Sequence, residues 1–220
     1  MNVRAQDLDV RFGSTRAVEQ ATLSLAPGDR AVVLGDAGSG KTTLLKALAG
    51  LVRPTGGSVF WEDREVAQLD ERERRQLRSS LGMVFQTDAP FDSMTVLENV
   101  RHPLLRRQVA FSEANQRAKE ALEQVELSAA ASMLPERLSG GMRKRAGIAR
   151  AIVARPQVLL ADDPFSGLDP ESAARIAALL LTVSKGKTLV VSLSEPSDWL
   201  RLERQLQMKC GRIVREQAGE

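Results

Sequence analysis

Four short aliphatic runs recur along the chain, and each has the length and composition of a strand that is buried on both faces. They are RAVVLG (30–35), GMVFQ (82–86), VLLADD (158–163) and TLVVSL (188–193). Helical patterns separate most of these runs, as crossover helices do between parallel strands. The pattern therefore predicts an α/β fold with a parallel central sheet.

Three further segments near the N-terminus carry turn residues between them and predict short antiparallel strands. They are LDVRF (8–12), ATLSLAPG (21–28) and GSVFWED (57–63). The middle of the chain, 88–146, lacks clear core strands and predicts a mainly helical insertion in the sheet domain. Within it, the segment from Ser112 onward shows apolar residues at helical spacing, with Ser112 as the expected N-cap. Asp70 and Glu73 have the spacing of a capping box at the start of another helix.

Composition narrows the possible partners. The 220 residues include 31 Lys and Arg against 28 Asp and Glu, for a net charge of +3. This surplus is too small and too scattered for a nucleic-acid footprint. The single cysteine, Cys210, excludes an intramolecular disulfide and suits a reducing compartment. The first residues, MNVRAQDLDVRF, lack the apolar stretch of a signal peptide, and no run reaches the ~18 apolar residues of a membrane span.

The segment GDAGSGKTT (35–43) carries a specific phosphate-binding motif. It follows the strand AVVL and opens the helical pattern KTTLLKALAG, which is the context that the motif requires. Its glycines let successive backbone N–H groups point at phosphate oxygens, and the helix dipole adds positive potential. Lys41 is expected to reach the β- and γ-phosphates, and the Thr42 hydroxyl to ligate Mg²⁺. The alternative is a glycine-rich turn with an accidental lysine.

The residues of this loop expected around ATP are Gly35, Asp36, Ala37, Gly38, Ser39, Gly40, Lys41, Thr42 and Thr43.

Two aspartates end the third aliphatic run. Adjacent carboxylates at the end of a buried strand are costly unless they meet a cation or a reacting group. Asp162 is expected to hold Mg²⁺, and Asp163 to face the attacking water. The alternative is that both side chains only cap the turn that follows.

The stretch RLSGGMRKRAGIARAI (137–152) completes the set of motifs. With the phosphate loop and the two aspartates, it makes nearly the whole chain resemble the nucleotide-binding subunit of an ABC transporter. The resemblance implies a single ABC ATPase domain. Its P-loop NTPase (RecA-like) core with the antiparallel β subdomain spans 1–87 and 147–220, and its helical signature subdomain spans 88–146. Within the family, the segment FQTDAPFDSMTVLENVRHPLL and the signature sequence LSGGM most resemble those of the Mla/Mce-type phospholipid transport subgroup.

The resemblance also assigns individual residues. It places the signature, which binds the ATP of a partner subunit, at Leu138, Ser139, Gly140, Gly141 and Met142. Gln86 corresponds to the glutamine that touches Mg²⁺ and water, and Phe12 to the aromatic that stacks on adenine, although a core role for Phe12 stays open. The loop that crosses the dimer interface falls on Ser166, Gly167, Leu168 and Asp169, of which Asp169 also has the position of an N-cap before Pro170.

Two positions depart from the family pattern. The residue after the Mg²⁺ aspartate is usually Glu, and Asp163 is shorter by one methylene, or about 1 Å; a misplacement of that size can cost on the order of 100-fold in rate. The family's histidine after the strand TLVVS is replaced by Leu193, with Ser194 or Ser192 as partial substitutes. The only histidine, His102, lies in the insertion and is assigned a structural or surface role.

The expected function is therefore the ATP-binding subunit of an ABC transporter with slow hydrolysis. Its cofactors would be ATP and Mg²⁺, and its catalytic residues Asp163, Gln86, Lys41 and Ser194. Its partners would be a second ATPase subunit, identical or different, and a membrane permease contacted through the helical subdomain. The expected location is the cytoplasmic face of the inner membrane. The alternative is a catalytically impaired, nucleotide-gated subunit that pairs with an active ATPase.

Overall fold

The computed structural model describes residues 1–87 and 91–218. Its strands are β1 (Val3–Phe12), β2 (Thr15–Leu25), β3 (Arg30–Leu34), β4 (Gly56–Trp61), β5 (Arg64–Glu65), β6 (Leu81–Val84), β7 (Val158–Asp162), β8 (Thr188–Leu193), β9 (Arg204–Lys209) and β10 (Arg212–Ala218). Its α-helices are α1 (Lys41–Leu48), α2 (Glu71–Arg78), α3 (Val96–Leu105), α4 (Phe111–Gln124), α5 (Gly140–Ile152) and α6 (Pro170–Val183).

The strands form two sheets. Strands β2, β1, β4 and β5 make a four-stranded antiparallel sheet in that order. The second sheet has six strands in the order β10-β9-β3-β8-β7-β6, and all its pairings are parallel except that of β9 with β10. The four predicted core strands and the three predicted antiparallel strands are confirmed, and the fold is the expected α/β arrangement.

The six-stranded sheet separates two hydrophobic clusters, because successive side chains of a strand point to opposite faces. Ala31 and Val33 of β3 join α1 and the antiparallel sheet in one cluster. Val32 and Leu34 of the same strand join helices α3 to α6 in the other. The carboxyl ends of β3, β7 and β8 meet at one edge of this sheet, where the chemically important side chains come together.

The segment between β6 and β7 consists of helices joined by turns in its described residues, 85–87 and 91–157, and contains no strand there, as expected. Helix α5 continues to Ile152, so the predicted boundary at residue 146 falls inside this helix, whose second half packs on the sheet. Residues 88–90, where the insertion was expected to begin, lie outside the described residues. Among the described residues, no helix combines the length and the apolar character needed to cross a bilayer.

Two local predictions met different outcomes. The capping box of Asp70 and Glu73 at α2 is confirmed by both of its hydrogen bonds. The Ser112 cap is wrong, because α4 begins two residues earlier than predicted, with Ala110 at the N-cap position. The ring of Phe111, the first helical residue, lies against the Arg101 guanidinium, 4.3 Å from the ring centre.

Candidate nucleotide-binding site

The loop between β3 and α1 is held in shape by close backbone contacts. A Cβ atom at Gly35 would lie 2.2 Å from the carbonyl oxygen of Met208, and one at Gly40 would lie 2.1 Å from that of Ala17. Gly40 also has a left-handed φ of +103°. Both positions therefore require glycine, and the accidental-turn alternative leaves this fit unexplained. The Gly211 amide donates to the Ser39 carbonyl at 2.9 Å, which ties the loop to the β9–β10 turn.

Lys41, the first residue of α1, points its ammonium group into this loop. Its Nζ donates to the carbonyl oxygens of Gly35 at 2.6 Å and Asp36 at 2.9 Å. Burial lowers the pKa of Lys41, and the nearby carboxylates of Asp163 and Asp162 oppose that shift. The loop thus concentrates one positive charge where its backbone curves, which is the arrangement that cradles phosphate groups.

Thr42 and Asp162 face each other at the mouth of the loop. The Thr42 hydroxyl donates to Asp162 Oδ1 at 3.0 Å, although the two residues are 120 positions apart in sequence. The same carboxylate oxygen accepts a second hydrogen bond, at 2.7 Å, from the Ser192 hydroxyl on the neighbouring strand. Asp162 is almost fully buried. The structure therefore brings together the two oxygen groups that were expected to bind Mg²⁺.

Asp163 adopts an unusual backbone conformation directly after β7. Its φ of 43° lies in the left-handed region, which Asp tolerates better than most side chains. Its carboxylate accepts a hydrogen bond from the Gln86 amide at 3.1 Å. Burial raises the pKa of Asp163 and the Asp162 charge raises it further, while Lys41, Lys144 and the Gln86 hydrogen bond lower it. Asp163 thus has the raised proton affinity expected of a base.

Lys144 connects the signature helix to this site. It is only 4% exposed, and its Nζ donates to the backbone carbonyl of Gln86. Gln86 is therefore held at two points, by Lys144 through its backbone and by Asp163 through its side chain. One helix, α5, in this way carries both the signature at its start and a contact to the Asp163 site.

Phe12 lies at the end of β1, and its ring is 55% exposed. It pairs with Thr15 across the β1–β2 turn. Farther along β2, the Ala17 carbonyl contacts the phosphate loop at Gly40. Exposure argues against the core alternative for Phe12, and an exposed aromatic ring on this hairpin suits stacking on a base.

The signature residues surround the start of α5. Ser139 is the N-cap, and its hydroxyl accepts a hydrogen bond from the Met142 amide at 3.3 Å. Leu138 is buried beneath it. A Cβ atom on Gly140 would lie 3.6 Å from Leu168, and one on Gly141 would lie 3.7 Å from Ser172. These are ordinary contacts, so the interior of the chain does not require glycine at either position.

The 166–169 loop lies beside the signature. Asp169 caps α6, accepting from the Ser172 amide at 2.9 Å, and Pro170 is the first helical residue, as predicted. Gly167 adopts a left-handed φ of +73° in the turn that contains Ser166 and Leu168. In residues 1–87 and 91–218, no hydrogen bond joins the signature (138–142) to the phosphate loop (35–43) of the same chain.

The alternation of side chains along β8 determines which residues near the missing histidine face the aspartates. Ser192 points toward Asp162, so Leu193 points to the opposite face, where it is 3% exposed in the cluster with α3 to α6. Ser194 follows the strand and is exposed. Leu193 therefore points away from the aspartates, and Ser194 is the nearest residue after it with an exposed side chain. His102 is half-buried in α3, and its ring lies 4.9 Å from that of Phe91.

The contacts that Ser192 and Lys144 make in the site were not predicted from the sequence. Ser192 is a polar residue that interrupts an apolar strand, and this is a signal that sequence inspection can find. Lys144 sits among other basic residues of α5, and nothing in that local pattern distinguishes it.

Comparison with known proteins fixes the family. The profile of the family described as "ABC transporter" matches residues 18–166. A solved structure of the ATP-binding cassette MJ0796, in a dimeric post-hydrolysis state bound to ADP and Pi, has a TM-score of 0.87 and 32% identity, and the alignment covers 98% of each chain. The chain therefore belongs to the ABC transporter family, and its fold is that of an ATP-binding cassette.

Curated relatives include the methionine import ATP-binding protein MetN of Mesorhizobium japonicum, 40% identical over 217 residues, with 97% of this chain and 60% of that protein covered. Another is the methionine import ATP-binding protein MetN 2 of Bacillus cereus, 40% identical over 180 residues, with 82% and 53% covered. The chain thus spans about 60% of the length of the first. These relatives do not support the expected phospholipid subgroup, which rested on short stretches such as FQTDAP and LSGGM.

Proposed function

We propose that the chain binds ATP with Mg²⁺ at the 35–43 loop and acts as the ATPase subunit of a transporter. The observation that carries this proposal is the meeting of Thr42 with Asp162, 3.0 Å apart, beside the enclosed ammonium of Lys41. A phosphate chain laid along the loop would meet N–H groups, a positive charge and a helix N-terminus together.

Mg²⁺ fits the residues present. It prefers oxygen ligands and is usually held by one or two carboxylates together with substrate phosphates. Thr42 and Asp162 supply two such oxygens. The described residues contain no group of three or more His, Cys, Asp or Glu able to hold a metal ion. The ion would therefore be held jointly by this pair and the nucleotide, and would neutralise charge on the phosphates.

Hydrolysis would use Asp163 and Gln86. The carboxylate of Asp163, with its raised pKa, would accept a proton from the attacking water, and the Gln86 amide would orient that water. Lys41 would stabilise negative charge on the transferred phosphate, and Ser194 would offer a hydroxyl next to Leu193, the position where the family has a histidine. The shorter acid and the absent imidazole support slow turnover.

A dimer would complete the site. The Ser139 hydroxyl and the N–H groups of Gly140 and Gly141 form a helix start suited to an anion, and within the described residues it makes no hydrogen bond to the chain's own phosphate loop. Glycine in a helix costs up to about 1 kcal/mol relative to alanine. The interior does not require glycine at these positions, so we assign the requirement to ATP held by a second subunit, with Ser166, Gly167, Leu168 and Asp169 at the interface.

A membrane permease made by another chain would contact the helical insertion. Through this contact the permease would respond to ATP-driven dimer closure. Gln86 supports this route, because it leads from Asp163 into that insertion and is held by Lys144 of α5. The curated relatives, named for methionine import, favour uptake of methionine or a similar small molecule. The subunit would then be peripheral, at the cytoplasmic face of the membrane.

A second candidate is a nucleotide-gated subunit that closes on ATP and seldom hydrolyses it. Asp163 and the lack of a histidine at positions 193 and 194 favour this candidate. Both functions require ATP binding, and turnover in the presence of the permease separates them. Rates of about 1–100 s⁻¹ would exclude the second candidate.

The test of the proposal is Mg²⁺-dependent ATP binding and dimer formation by the purified chain. Lys41→Met is expected to weaken ATP binding on the order of 100-fold or more, since it removes the charge inside the loop. Gly141→Ala is expected to keep the fold and ATP binding but to lose ATP-driven dimerisation, measured by analytical ultracentrifugation with a non-hydrolysable analogue. Lack of any Mg²⁺-dependent affinity in the unmodified chain would refute the proposal.

A further inference from the structure

Ser192 is a fully buried hydroxyl that follows the apolar run 189–191 of β8. Ser192 is 0% exposed, and it pairs with Asp162 in the parallel register of β7 and β8. A hydroxyl in such a place is destabilising unless it is hydrogen-bonded. Its partners therefore indicate what it does.

The Ser192 hydroxyl lies between the two successive aspartates. It donates to Asp162 Oδ1 at 2.7 Å and accepts from the Asp163 backbone amide at 3.1 Å. The Ser192 carbonyl also accepts from this amide, at 3.0 Å. One side chain thus contacts the carboxylate of one aspartate and the backbone of the next.

These contacts act on two features of the site. Asp162 Oδ1 receives the Ser192 and Thr42 hydroxyls together, and this fixes the rotation of the carboxylate. The Ser192 hydroxyl also accepts from the backbone amide of Asp163, a residue with a left-handed φ of 43°. The two carboxylates consequently diverge, one toward Thr42 and the other toward the Gln86 amide.

We propose that Ser192 is a positioning residue for the Mg²⁺·ATP site, because its hydroxyl sets the direction of the Asp162 carboxylate and anchors the turn at Asp163. This inference rests on the proposed function, because it concerns the ion that Thr42 and Asp162 would hold. Ser192 itself touches neither the ion nor the nucleotide; it acts through the two aspartates.

The experiment compares Ser192→Ala with Thr188→Val. Thr188 is a matched control, since it lies on the same strand, is 1% exposed, and bridges the Ala26 carbonyl and the Gly28 amide, each at 3.0 Å. Both variants lose a buried hydroxyl from β8, but only Ser192 contacts the aspartates. Ser192→Thr keeps the hydroxyl and serves as the conservative rescue, and Ser192→Cys nearly keeps the volume with a weak donor.

The measurement is the affinity for a fluorescent ATP analogue at increasing Mg²⁺ and in EDTA, with the unfolding midpoint of each ligand-free variant. Loss of a residue that orients a metal ligand typically weakens metal affinity about 10–100-fold. We expect Ser192→Ala to reduce the Mg²⁺-dependent gain in affinity by about tenfold and to leave binding in EDTA unchanged. Ser192→Thr and Thr188→Val should retain the full gain, and Ser192→Cys should lose most of it.

Three results would overturn the inference. They are an undiminished Mg²⁺-dependent gain in Ser192→Ala, an equal loss in Thr188→Val, and, should Ser192→Ala fail to fold, an undiminished gain in Ser192→Cys. The first leaves the proposed function intact, since the unmodified chain still shows the gain. If the unmodified chain shows no gain at all, the proposed function fails, and this inference fails with it.

Discussion

Placing a histidine at position 193 or at position 194 should have opposite consequences. Leu193 is 3% exposed and packs with Val32 and Leu34 on the face of the sheet away from the aspartates. Truncating a buried leucine costs about 2–5 kcal/mol. An imidazole refills part of that volume, but it also buries polar nitrogen atoms at a cost of about 1–3 kcal/mol each when they are unpaired.

A cavity of about 310 Å³, with Asp198 in its wall, adjoins Leu193 and reduces the free-energy cost of placing an imidazole there. We therefore expect Leu193→His to lose about 2–3 kcal/mol of unfolding free energy, at the low end of these costs. In a chain of this size that lowers the unfolding midpoint by roughly 4–12 °C. Ser194 is exposed, and Ser194→His should stay within about 0.5 kcal/mol of the unmodified chain.

The assay combines thermal unfolding by circular dichroism with steady-state ATP turnover. Ser194→His is expected to raise turnover, since its imidazole can face the γ-phosphate, and Asp163→Glu in the same chain should raise it further. Leu193→His should not raise turnover. The reasoning from strand phase would be refuted if Leu193→His were as stable as the unmodified chain and more active, while Ser194→His changed neither property.

Three further substitutions test other contacts. Gly40→Ala places a Cβ atom 2.1 Å from the Ala17 carbonyl at a positive φ; it should cost at least about 2 kcal/mol in urea unfolding, and an unchanged midpoint would contradict the loop geometry. Lys144→Met should lower turnover on the order of 100-fold by releasing Gln86, with ATP affinity within about twofold; equal losses in both would indicate a purely structural role. Thr95→Ala removes the α3 capping box and should cost about 1 kcal/mol in thermal unfolding, whereas no change would mean that the cap is dispensable.

Local motifs were predictable because their geometry is set by neighbouring residues. The strand, glycine turn and helix of the phosphate loop follow one another within 30–48, so the placement of Lys41 and Thr42 could be read directly. The Asp169–Pro170 cap was predictable for the same reason. The pairing of Thr42 with the distant Asp162 was inferred from a shared role as Mg²⁺ ligands, because adjacent carboxylates at the end of a buried strand are costly without a cation.

Other features depend on contacts that no local pattern encodes. Strands β9 and β10 were not predicted, because they lack the continuous aliphatic runs of the four core strands; in RQLQMK only Leu206 and Met208 are buried. The buried state of Lys144 depends on where α5 crosses the chain at Gln86. The direction of Leu193 could not be predicted either, since the alternation of β8 fixes which residue faces Asp162 only once its register with β7 is known.

The phosphate loop rests on chain segments that lie far from it in sequence. Its glycines pack against the carbonyl oxygens of Ala17 and Met208, and Ser39 is bonded to Gly211. During synthesis on the ribosome the motif itself emerges early, but its supporting surface is not complete until residues 204–211 have left the exit tunnel. Nucleotide capture would then wait for that hairpin, so nascent chains cut short before it would carry the motif without the pocket.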